Sequence, residues 1–201
     1  MILITEQIPE QSFELITKQL GAILLLELDN QNKMSCSKYD IQTFLERTIP
    51  IDKSEDVVVN ISLNSVNYDE HNEFSVQGSH NFNIDVYTFS DDKIYNTADE
   101  KSRIKLQRVA GWIRYILSST KYKCLNINND ACHISGSYLQ SINFDDNFGN
   151  QDASMSRMCR IVFNVRADEN QDPDQATDFT INETNFKISN SEKGYKLIFN
   201  T

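Results

Sequence analysis

The chain has 201 residues, 39% of them hydrophobic and 24% charged, and a formal net charge of -10. That length supports one core with room for an appended hairpin, while the acidity argues against gripping nucleic acid by phosphate neutralisation or settling on an anionic membrane. No stretch reaches the roughly 18 consecutive apolar residues of a transmembrane helix, and Met1-Ile2-Leu3-Ile4-Thr5-Glu6 lacks the basic and small residues of a secretory signal, so none is expected.

In chain order, Pro9 suits a first helical turn, where its missing N–H costs nothing. Phe13, Ile16, Thr17 and Leu20 then form one face of a short helix that Gly21 is placed to close. The apolar run Ala22 to Leu28 predicts a buried strand, and the same run also fits a continuing helix. Asp29 to Asn32 predicts a turn. Ser37 to Thr48 predicts a second short helix with Ile41, Phe44 and Leu45 inward, stopped by Pro50.

Val57 to Val66 alternates as a strand, with Val57, Val59, Ile61 and Leu63 on one face. A loop is expected over Asn67 to Asn72. The clearest strand follows. Phe74, Val76, Phe82, Ile84 and Val86 share one parity, and Glu73, Ser75, Gln77, Ser79, Asn81, Asn83 and Asp85 share the other, which predicts one dry and one wet face. Gly78 in mid-run suggests a bulge or a close approach.

Thr97-Ala98-Asp99-Glu100 has the form of a capping box, so a helix is predicted from Thr97 to about Ser119. Leu106, Val109, Ala110, Ile113, Ile116 and Leu117 recur at helical spacing. Lys101, Arg103, Lys105, Arg108 and Arg114 fall mostly on the other side. Ile134, Gly136, Tyr138, Gln140, Ile142 and Phe144 then alternate as a strand. A polar loop is expected over Asp145 to Ser156. The next strand runs from Met155 to Val165, with Cys159, Ile161, Phe163 and Val165 in one row. Ala167 to Asp178 reads as an acidic loop. Phe186 and Ile188 face Tyr195, Leu197 and Phe199 across the turn Ser191 to Gly194.

These elements predict an α+β fold: a mainly antiparallel sheet of two long hairpins, a long helix between them packed on one face, an N-terminal helix and a C-terminal hairpin. Residues 1–183 read as one domain and 184–201 as a hairpin extension. With 6 Gly and 3 Pro, no flexible linker is apparent.

No cluster has the spacing of a reactive site. Cys36, Cys124, Cys132 and Cys159 contain no C-x-x-C pair and read as free thiols. Cys124, Cys132 and His133 are the best metal candidates, but neighbours on a strand point to opposite faces. His71, His80 and His133 lie in no nucleophile motif. Asp172, Asp174 and Asp178 lack the Gly and terminal Glu of a calcium loop and read as solvated acids. There is no P-loop and no G-x-G-x-x-G. No metal, cofactor or catalytic residue is expected.

Gly111, inside the main helix, fits close packing on the sheet. Trp112 and Tyr115 fit either the core edge or a subunit contact. The basic helix face has likewise two readings, a solvated surface or a head-to-tail contact with an acidic loop of an identical subunit. Lys101, Arg103, Lys105, Arg108, Trp112 and Tyr115 are therefore the candidate interface residues.

Three stretches carry a family resemblance: Phe82 to Phe89 followed by the helix to Leu117, Gly136 to Ile142, and Arg160 to Ala167. Over about Asp56 to Asp168 the chain resembles the tail-terminator and related neck proteins of tailed bacteriophages, whose sheet of two hairpins carries a long helix between them. The segment before Pro50 and the hairpin from Thr184 are additional to that pattern. The resemblance implies a homo-oligomeric ring, usually six-fold, at the head–tail junction of a virion assembled in the host cytoplasm. Its partners would be copies of itself and other neck, portal or tail-tube proteins, with DNA passing through unbound. The alternatives are a twelve-fold portal-proximal connector and a monomeric intracellular binding module.

Overall fold

The computed structural model describes residues 8, 10–48, 51–52, 54–69, 75–90, 95–127, 132–145, 155–170, 187–191 and 194–198. The chain divides into two compact units, residues 1–171 and 172–201. The first contains α1 (Ser12–Met34), β1 (Ile41–Leu45), β2 (Val57–Tyr68), β3 (Ser75–Ser90), α2 (Tyr95–Ser118), a short 3-10 turn (Thr120–Tyr122), β4 (Cys132–Asp145) and β5 (Met155–Asn170). Its sheet has the order β1-β2-β3-β5-β4. β1 pairs with β2 in parallel, and every other pairing is antiparallel. The fold is α+β, with α2 connecting the hairpin β2–β3 to the hairpin β4–β5. The second unit contains the antiparallel pair β6 (Lys187–Ser191) and β7 (Gly194–Ile198), with Ile188 opposite Leu197.

The N-terminal region differs from its local pattern. The helix does not close at Gly21. It runs through Ala22–Leu28 and through Asp29–Asn32, replacing the predicted strand and turn. Ile16, Leu20, Ile23, Leu24 and Leu28 are buried along one stripe that crosses Gly21 without a break, whereas Leu25 and Leu26 are exposed. Gly21 is buried because Leu45 of β1 lies over it, its Cδ2 only 2.9 Å from where a Cβ would sit. The glycine permits a close helix–strand approach rather than a helix stop. Ser37 to Thr48 is not a helix either. Ile41–Leu45 pairs in parallel with Val57–Ile61, because that adds a strand to the sheet edge beneath α1. Asn32 holds the connection by bonding both the carbonyl (2.7 Å) and the N–H (3.3 Å) of Tyr39.

The central strands follow their alternation. Val57, Val59 and Ile61 of β2, Phe82, Ile84 and Val86 of β3, and Cys159, Ile161, Phe163 and Val165 of β5 are all fully buried. They form one core with the inward residues of both helices, which therefore lie on the same side of the sheet. β2 continues through Asn67 and Tyr68, which the sequence places in a loop. β5 likewise continues past Val165, so Ala167 is buried strand rather than the start of an acidic loop. Gly78 sits in unbroken register between Tyr68 and Ala167. A Cβ there would come within 2.8 Å of His80 Cε1, so close approach and not a bulge explains it.

β4 departs from simple alternation. Register shifts between Ile134 and Gly136 and between Leu139 and Ser141 each exchange its two faces. The residues paired with the inward row of β5 are Ile134, Ser137, Leu139, Ile142 and Phe144, so Gly136 and Tyr138 point away from the helices and Gln140 is the extra residue at the second shift. The polar parity of β3 is also not uniformly wet. Asp85 is 4% exposed and receives Arg160 through two bonds, Nε at 2.7 Å and Nη2 at 2.8 Å.

Pro9, Pro50, His71, Glu73, Phe74, Asp172, Asp174, Asp178, Phe186, Phe199 and the middle of the predicted 145–156 loop lie outside the described residues.

Candidate functional site

α2 begins at Tyr95, two residues before the predicted capping box, so Thr97 lies inside its first turn. Three polar links tie its N-terminal half to the sheet. Asp99 accepts from Arg157 Nε at 2.8 Å, Ser102 Oγ meets Thr88 Oγ1 at 2.9 Å, and Lys105 bonds Asp56 and the carbonyl of Phe89. The C-terminal half is held by apolar contact through Val109, Ala110, Ile113, Ile116 and Leu117.

These anchors sort the candidate interface residues. Lys105 is half-buried and engaged internally. Trp112 is buried, with its ring 6.1 Å from that of Tyr39. Lys101, Arg103, Arg108 and Tyr115 are exposed, and Arg108 lies 5.3 Å over the Trp112 ring.

The outward pole of the helix holds Ile104, Gly111 and Tyr115. Ile104 is 50% and Tyr115 78% exposed. Gly111 is exposed, and a Cβ there would meet nothing within 4 Å. Close packing on the sheet, the expectation from sequence, is therefore not its role. In a helix interior Gly costs about 1 kcal/mol relative to Ala, and the subunit's own packing does not offset that cost. Beside Gly111, a groove of about 420 Å³ is lined by Gln107, Arg108, Trp112, Tyr115 and Ile116 of α2 and Gln31 of α1.

Electrostatically this surface is the exception in the molecule. α2 carries five basic and two acidic residues, +3, so the rest of the chain is -13. Among the described residues, neither Arg103 nor Arg114 has an ion-pair partner. An exposed apolar stripe bordered by unpaired guanidinium groups can receive an apolar surface fringed with carboxylates.

One polar cluster was not legible in the sequence. Ser12 Oγ lies 2.7 Å from His80 Nε2, and the Ser12 N–H donates to Glu169 Oε1 at 3.0 Å. The trio superficially suggests a nucleophile and its base. Ser12 is 2% and His80 0% exposed, so a substrate carbonyl has no approach to Oγ in this structure. The bonds instead tie the start of α1 to β3 and β5. Burial pushes the His80 pKa down, opposed by the nearby Val165 backbone, the Glu169 charge and the Gly78 backbone, while Nδ1 of the ring has no hydrogen-bond partner among the described residues.

The best metal candidates from sequence diverge. Cys132 is buried, while His133 and Cys124 are exposed. All four cysteines are free, and burial pushes the Cys159 thiol up to about 12. Among the described residues no helix is long and apolar enough to cross a membrane. Comparison with protein-family models and with curated proteins finds no match for this chain.

Proposed function

We propose that this chain is a structural subunit of a homo-oligomeric ring at the head–tail junction of a tailed bacteriophage, where it terminates or joins the tail and lets DNA pass. The observation that carries this reading is the outward face of α2, which no other described residue covers, apolar along Ile104, Gly111 and Tyr115 and basic at Arg103, Arg108 and Arg114 in a chain of net charge -10. A fold that places costly or sticky groups outward gains from covering them. The helix suspended between two hairpins supports the same reading, because it is the arrangement on which the resemblance rests. An acidic ring would repel the DNA backbone and so avoid holding it. Six-fold symmetry suits a terminator and twelve-fold a connector. Neighbouring neck, portal or tail-tube proteins would be the other partners.

Light scattering on the purified chain, with negative-stain imaging of large species, tests the proposal. Rings are expected, and their symmetry separates terminator from connector. The double substitution Arg103→Glu with Arg108→Glu should reduce the assembled fraction at least tenfold. Both residues are exposed, so subunit stability should fall by no more than about 1 kcal/mol, the worth of the Arg108–Trp112 contact. Unchanged assembly would remove the basic face from the interface.

The groove favours a second reading, a monomeric binding module. Its volume of about 420 Å³ lies within the range of small-ligand sites, and it combines Trp112 with the polar groups of Arg108, Gln31 and Gln107. A strict monomer that binds a small molecule there would select it.

A further inference from the structure

The groove beside Gly111 gathers polar groups that the subunit itself does not use. Among its described lining residues Arg108 alone is charged, and none is acidic. The residues one turn either side of Arg108 on α2 are Ile104, Lys105, Gly111 and Trp112, so no carboxylate sits beside its guanidinium along the helix. The guanidinium lies 5.3 Å over the Trp112 ring and has neither an ion pair nor a hydrogen bond among the described residues. The side-chain amides of Gln107 on α2 and Gln31 on α1 are likewise without a hydrogen bond among the described residues. The carbonyl of Gln31 accepts from the Ser35 N–H at 2.9 Å, so it is already engaged within the helix end.

The rest of the lining is apolar. Gly111 presents bare backbone to open space, since a Cβ there would meet nothing within 4 Å, and Trp112, Tyr115 and Ile116 flank it. We propose that the groove binds a small planar aromatic carboxylate, with its ring over Gly111 beside Trp112 and Tyr115 and its carboxylate on the Arg108 guanidinium. Guanidinium and carboxylate match in charge and in bidentate geometry. The amide N–H groups of Gln31 and Gln107 can donate to an oxygen lone pair that the guanidinium leaves free. One guanidinium neutralises a monoanion. A phosphate monoester carries nearly two charges, and one of them would stay uncompensated beside a chain of net charge -10. That sets a carboxylate above a nucleotide. The volume of about 420 Å³ lies towards the lower end for ligand sites, which suits a ligand of one or two rings. The choice of ligand rests on the binding-module reading above, since a ring closed over α2 would cover the groove.

Ligand-detected saturation-transfer NMR on the full chain tests the proposal, with indole-3-acetate, its neutral isostere indole-3-acetamide and adenosine monophosphate as probes. The acid should bind at least about tenfold more tightly than the amide, the worth of one charge-assisted pair, and more tightly than the nucleotide. Arg108→Gln should abolish the preference for the acid and leave the affinity for the amide unchanged. Gly111→Leu puts a side chain into the open groove and should weaken both indoles by about tenfold or more. Equal affinities for acid and amide, or tighter binding of the nucleotide, overturn the carboxylate and leave the binding-module reading standing. No binding of any probe below about 10 mM, or binding that Gly111→Leu leaves unchanged, overturns both. Should Gly111→Leu lose the wild-type circular dichroism, Tyr115→Ala takes its place, because it removes one wall of the groove from an exposed position.

Discussion

The two sides of the central sheet are built by different means. On the side that carries the helices, β2, β3 and β5 present rows of Val, Ile and Phe that are completely buried against α1 and α2. The opposite side carries a polar ladder beside the fully buried Val58. Asn164 Nδ2 donates to Ser79 Oγ at 2.8 Å and to Asn81 Oδ1 at 2.7 Å. Asn60 exchanges bonds with the backbone of Arg47, and Asp85 holds Arg160. Tyr87 on that side is buried, and its hydroxyl pKa is pushed up to about 12, first by burial and then by Asp85. The dry side supplies most of the folding free energy, because apolar burial scales with area and needs no matched geometry. The polar side adds less stability but fixes register, since its amides and carboxylates take particular partners, although the buried Asn164 Oδ1 has none among the described residues. The outward face of α2 is a third case, with groups that neither serve the core nor pair with one another.

Substitutions should separate these three surfaces. The largest loss is expected from Phe163→Ala, which empties a fully buried position between the helices and the sheet and should cost about 3–5 kcal/mol in urea unfolding. A cost under about 1 kcal/mol would mean the helical layer is loosely packed. Asp85→Ala comes next, at about 2 kcal/mol. It removes a buried carboxylate, but the Arg160 side chain is 46% exposed and can recover water, which limits the penalty. The same substitution should leave assembly through α2 unchanged.

His80 makes the dry side sensitive to pH. Its folded pKa lies below the ordinary value of 6.5 because burial disfavours the charged ring. The unfolded chain therefore binds more protons in that window, and stability rises with pH there. This contribution is complete above about pH 6.5 and is lost as the pH falls through the lower folded value. Glu169 partly opposes the effect by favouring the charged ring. Glu27 and Glu55 are held below the usual carboxylate range, chiefly by hydrogen bonds from Tyr122 and from Arg47, so they add losses only at lower pH. The urea midpoint should drop between pH 7.5 and 5.5, as flagged by an imidazole reference near ~6.5, and His80→Asn should flatten that drop.

The smallest effect has the opposite sign. Gly111→Ala adds a methyl group that meets nothing in the subunit and should stabilise it by about 1 kcal/mol through helix propensity. If another copy approaches there, the same change should weaken assembly. Stabilisation of the subunit with unaltered assembly would move the contact away from Gly111.

Sequence periodicity by itself determined α2, the hairpins on either side of it and the buried rows of β2, β3 and β5. In those segments the alternation or helical repeat is local, and the fold buries the face that the pattern marks. It also singled out the basic, aromatic surface of α2, although not which of its residues remain outward. Tertiary structure decided the rest. Gly21 and the run Ala22–Leu28 are compatible with a strand until Leu45 packs over the glycine and one stripe of the run finds the sheet. Ile41–Leu45 becomes a strand because β2 offers it backbone partners 16 residues away in sequence. The facing of β4 depends on two register shifts against β5, which leave no mark in its own alternation. Lys105 reads as surface charge until Asp56, in the loop just before β2, engages it. In each case the deciding partner is distant in the chain, and a local pattern holds no information about which distant group will satisfy it.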